Sequence, residues 1–140
     1  MINSEVFAIT VGVIPTAILF ALSHRLNKKP FFLFSLMISV FLTIIAFVYH
    51  DVPSLQMARD SAAVFAVMPL LFILTYSLLR KLFLILFACE PINIAYNQSS
   101  FEYRKFIFPD YIFTFSIILI PILCNSFFFE LLLTLYEYII

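Results

Sequence analysis

The chain has 140 residues, 64% of them hydrophobic and 11% charged, and its eight basic and eight acidic side chains give a formal net charge of zero. A soluble domain carries roughly 25% charged and about half apolar residues, and one of this length still exposes much of its surface, so a water-soluble globule does not fit. The balanced charge gives no ground for a nucleic-acid partner. The expected partner is the lipid bilayer, and the expected fold class is an all-α integral membrane protein.

Residues 1–5 contain no Lys or Arg, so the basic region that opens a cleaved signal peptide is missing and the first apolar run is expected to be retained. Asn3 or Ser4 is placed to cap the helix that follows, with Glu5 at its positive end. The first predicted span runs from Val6 to Ser23, which are 18 residues without a charge. That is roughly 27 Å of helix, close to the hydrocarbon thickness of a bilayer. Pro15 near its middle removes one backbone hydrogen bond and predicts a kink. His24, Arg25, Lys28, Lys29 and Pro30 end the segment with a basic turn.

The second span, Phe31 to Tyr49, holds neither Pro nor Gly. Its polar residues Ser35, Ser39 and Thr43 recur every four positions and share one helix face. Each hydroxyl is expected to bond back to its own helix, or together they form a small-residue seam for a neighbour. His50 and Asp51 then read as a polar helix end, because adjacent helical residues point about 100° apart and make a poor dyad. Pro53 and Ser54 break the chain before the third span.

The third span is set at Ala62 to Leu79, with Pro69 near its middle. Extending it would carry Arg80 and Lys81 into hydrocarbon at roughly 2.5–3.5 kcal/mol each. Leu82 to Cys89 is therefore expected to lie in the interface or dip back into the membrane. The segment 80–110 is the one long stretch suited to water, and it carries Arg80, Lys81, Arg104 and Lys105. Cations beside Phe101, Tyr103, Phe106 and Phe108 suit an anionic leaflet at about 1 kcal/mol each, which makes these four the candidate lipid contacts. The fourth span runs from Tyr111 to about Phe129, with Pro121 near its centre and a hydrophobic tail beyond it.

A count of positive charges orients the chain. Seven of the eight basic residues fall in the turn 24–30 and the segment 80–110, and Arg59 alone lies opposite. The positive-inside rule makes the rich side cytoplasmic and puts both termini outside. The resulting expectation is one domain, a four-transmembrane-helix bundle in the cell membrane, and the Phe-, Ile- and Asn-rich, Gly-poor composition suggests a bacterial inner membrane.

Candidate functional positions are the polar and kinked ones within the spans, since an intramembrane ionisable residue is a functional suspect. Glu130 lies about 28 Å along the fourth helix, at its outer interface, and Asn125 about 21 Å along, deeper in the bilayer. Asn125 could donate to a neighbouring helix or to carbonyls freed by Pro121. Pro15, Pro69 and Pro121 follow two apolar residues in three of the four spans, a faint sign of a duplicated hairpin. The two cysteines, Cys89 and Cys124, have no metal or redox spacing and read as small apolar fillers. One glycine excludes a phosphate loop, and no metalloprotease or nucleophile-elbow motif occurs. No cofactor and no enzymatic activity are expected. The leading expectation is a protein acting through contact with another membrane protein or with itself, as an accessory subunit or an immunity- or exclusion-type protein. The alternative is a small oligomeric transporter or channel using the proline-bearing helices.

Overall fold

In a computed structural model, residues 3–57, 61–88, 90–91 and 108–140 are described. Those residues are nearly all helical, with one isolated antiparallel bridge between Gln56 and Ser61 and no strand. Four helical stretches are long and apolar enough to cross a membrane: Ser4–Ala21, Lys29–Tyr49, Ala62–Phe87 and Phe108–Ile139. Each overlaps one predicted span.

The first stretch changes its winding on the way. Helix α1 (Ser4–Ala8) is capped by Asn3, whose Oδ1 accepts from the Glu5 N–H at 3.0 Å. One π-helical turn follows at Ile9–Val13, and α2 (Ile14–Ala21) then begins with Pro15 in its first turn. The helical stretch is continuous through Pro15, and the π turn lies just where the proline ring would crowd the preceding turn. This wider turn stands just before the proline, where the kink is expected, with the Thr16 hydroxyl donating to the Gly12 carbonyl at 2.7 Å.

The basic turn is 3-10 helical at Ser23–Asn27 and leads into α3 (Lys29–Tyr49). Its buried residues are Ser35, Ser39, Thr43 and Ala46, all small. Leu33, Phe34, Met37, Phe41, Ile44 and Val48 are exposed instead. The stripe faces the rest of the bundle, as expected of a seam, and back-bonding is seen at one of its three hydroxyls, Thr43 donating to the Ser39 carbonyl at 2.9 Å. Large apolar groups outside and small polar ones inside invert a water-soluble core and match helix packing in lipid.

The third stretch is the hub. Six residues, Ala62–Val67, wind as a 3-10 helix, and α4 (Met68–Phe87) continues from them. Pro69 sits in the first turn of α4, where the winding changes from 3-10 to α within one helical stretch. Ala62, Ala63, Val64, Ala66 and Val67 are all buried, between α3, α1 and the last helix. The single glycine explains part of this closeness. A Cβ on Gly12 would lie 2.5 Å from the Phe65 carbonyl oxygen and 2.7 Å from its Cβ, so only glycine admits that crossing.

Helix α4 does not end at Leu79. It runs on past the predicted span through Arg80, partly buried, and Lys81, exposed, to Phe87. Ala88 then adopts the left-handed conformation, φ 54°, and turns the chain off the axis. Helix α5 (Phe108–Ile139) has 32 residues and keeps its winding through Pro121. One buried cluster joins Leu19, Phe72, Tyr76, Phe83, Phe113 and Ile117, and another joins Ala46, Val64, Val67 and Phe129. Those pairings make consecutive stretches antiparallel.

Candidate functional site

Polar groups collect at the two ends of the bundle. At one end α5 presents Phe113, at the other Phe129, which is 16 residues or about 24 Å further along the helix. Ile117 and Pro121 are buried between them.

At the Phe113 end, the Tyr76 ring meets Phe113 edge-on at 5.7 Å between centroids. Its hydroxyl donates to Asn27 Oδ1 at 3.0 Å, tying α4 to the basic turn. One helical turn further, on the same face, Arg80 donates through Nε to Glu90 at 2.8 Å and through a second nitrogen to the other carboxylate oxygen. This two-pronged geometry is the stronger form of an arginine–carboxylate pair. The left-handed residue Ala88 turns the chain before Glu90 returns to Arg80. Lys81 is exposed. Arg104 and Lys105, the other two candidate lipid contacts, lie outside the described residues, as do Arg59 and Cys89.

Asp110 belongs to this end. The sequence placed it at the edge of a water-facing segment, yet it is fully buried in the first turn of α5. The Thr114 hydroxyl donates to its carbonyl at 2.9 Å. A carboxylate there meets the positive end of the helix dipole, and Pro109 just before it is a common helix opener. That Pro-Asp pair was the available signal.

At the Phe129 end, His50 and Asp51 do pair, with Nδ1 3.1 Å from Oδ1. The geometric objection holds only inside a helix, and Asp51 lies in the turn that follows α3. The imidazole stacks on Phe129 at 4.8 Å between centroids, and Gln56 Nε2 donates to the His50 carbonyl at 2.9 Å. The Asp51 side chain is 98% exposed, so the pair orients a ring at a surface and encloses no reaction chamber.

The remaining candidates separate. Pro15 and Pro69 border the same gap beside α3, whereas Pro121 is buried inside α5. Asn125 is buried too, and its Oδ1 accepts from the Ser126 N–H at 2.8 Å. That bond is local, to neither a neighbouring helix nor a carbonyl freed by Pro121. Glu130 is exposed. Cys124 is a free thiol, partly buried. Among the described residues, no three of His, Cys, Asp and Glu gather where a metal ion could sit.

No protein-family model, no curated protein and no solved structure matches this chain.

Proposed function

We propose that this chain is a small multi-pass membrane protein without catalytic machinery, working through helix contact with another membrane protein as an accessory subunit or an immunity- or exclusion-type protein. The observation that carries this is the far part of α5. Glu130, Thr134 and Glu137 fall at i, i+4 and i+7, a spacing that puts them on one helix face, and all three are exposed. Around them Leu131, Leu135, Tyr136 and Tyr138 are exposed as well. Glu130 stands at the predicted outer interface and Glu137 beyond it, and two carboxylates on one face of an otherwise apolar helix end suit a partner that brings donors or cations to them. The alternative reading is a small oligomeric transporter or channel using the proline-bearing helices; large side chains such as Phe72, Ile117 and Phe129 occupy the interior of a single copy, so its path would run between copies.

In this proposal the protein sits in a bacterial inner membrane with the turn 24–30 in the cytoplasm and both termini outside, on the strength of the seven-to-one distribution of positive charge. Affinity capture in mild detergent is expected to recover a stoichiometric membrane partner, or a second copy, from the wild-type chain. The double variant Glu130→Gln, Glu137→Gln should lose it. A wild-type chain that purifies as a monomer free of any partner overturns the proposal.

A further inference from the structure

Consecutive antiparallel helices joined by a short turn normally close on each other, and α2 and α3 do not. Each leans on α4, and little of one touches the other. Between them runs an open apolar gap of about 390 Å³, within the usual range for a small-molecule site. Leu22 and Phe31 border it at the basic turn, Pro15 and Leu42 at the deep end, with Ser39 and Pro69 along the side toward the bundle. From Phe31 to Leu42 it follows α3 for 11 residues, roughly 16 Å. That length is about half the 30 Å hydrocarbon core. A partner helix would need a groove across both leaflets; this one serves a single leaflet.

The mouth of the gap is charged. Arg25, Lys28 and Lys29 are all exposed on the turn that joins its two walls. Among the described residues the ion pairs are His50–Asp51 and Arg80–Glu90, and neither engages these three cations. Arg80 has Glu90 as its counter-ion; among the described residues the basic turn has none.

We propose that this gap is a binding site for one anionic phospholipid, with an acyl chain between α2 and α3 and the phosphate-bearing headgroup on Arg25, Lys28 and Lys29. The proposal rests on the chain lying in a bilayer, and it requires neither the protein partner nor a particular orientation. Ser35 and Ser39 are the small residues that leave the gap open on the α3 side. The lipid fills a space that the hairpin itself leaves empty, and its charge matches the turn.

The test is native mass spectrometry of the full chain released from detergent with phosphatidylglycerol or phosphatidylethanolamine of identical acyl chains. Wild type is expected to retain one phosphatidylglycerol in clear preference. Each neutralisation among Arg25→Gln, Lys28→Gln and Lys29→Gln should reduce that preference about fivefold, equivalent to ~1 kcal/mol. Ile38→Trp fills the gap from its exposed wall and should abolish retention of both lipids while the cations stay in place. Equal retention of the two lipids by wild type, or a preference that survives the triple neutralisation, overturns the site. Recovery of the expressed chain in the soluble fraction instead of the membrane would defeat the membrane reading itself, a different result from a membrane-bound chain that shows no lipid preference.

Discussion

The second and third helical stretches are both strongly apolar, yet they are built in opposite ways. In Ala62–Phe87, 67% of the most apolar window is buried, against 22% in Lys29–Tyr49. The third stretch buries Phe72, Ile73 and Tyr76 together with a run of alanine and valine; the second buries only two serines, a threonine and an alanine. Hydropathy cannot tell them apart, since lipid accepts leucine and phenylalanine as readily as a protein interior does. Position in a bundle is instead set by which face lets another backbone approach. Small side chains fit a helix seated beside the hub, and the hub itself needs surface of several shapes on all sides.

The same residue type in the two stretches gives the sharpest way to break this contrast. Phe72 is fully buried and Phe41 is 61% exposed. Phe72→Ala should lower resistance to unfolding in SDS-containing mixed micelles by about 3 kcal/mol, the lower end for a buried phenylalanine, because in lipid the cavity remains but most of the transfer loss does not. Phe41→Ala should change it by less than about 0.5 kcal/mol. Equal losses would mean that the two helices do not differ in role. Gly12→Ala comes next, at about 2 kcal/mol by overpacking, since the added methyl meets the Phe65 backbone. The midpoint of the same unfolding titration reads it, and an unchanged midpoint would show that the crossing is looser than the structure has it. Tyr76→Phe removes the bond to Asn27 and should cost about 1 kcal/mol, leaving the helix content by circular dichroism unchanged. Ala88→Gly is the smallest, a gain of up to about 1 kcal/mol, because glycine adopts positive φ without the strain an alanine carries there.

The parts of the fold that were legible in the sequence depend on long averages. Four runs of apolar residues mark four helices, and the Ser35, Ser39, Thr43 spacing marks the inner face of α3, because both signals repeat over several turns. Local winding is a different matter. Pro15 and Pro69 lie centrally in their apolar runs, and only a count of backbone hydrogen bonds reveals that each follows a turn of another helix type. The expected stop at Leu79 weighed two cations against hydrocarbon, but a helix can carry them outward without ending, and the Glu90 carboxylate that meets Arg80 comes from beyond a reversal in the chain. Tyr76 with Asn27 is 49 residues apart in sequence, so no spacing rule reaches it. Asp110 was assigned to water on residue type alone, and a helix dipole with a neighbouring proline decided otherwise.

The end of α4 has one more consequence. Among the described residues, the turn there carries an alanine at positive φ and the Arg80–Glu90 ion pair, whose side chains are 30% and 50% exposed. Backbone strain favours releasing Ala88, while the attraction between Arg80 and Glu90 holds the turn in place. Attraction between partly exposed charges is weakened by added salt. Salt in the surrounding medium therefore loosens the Arg80–Glu90 contact at this turn.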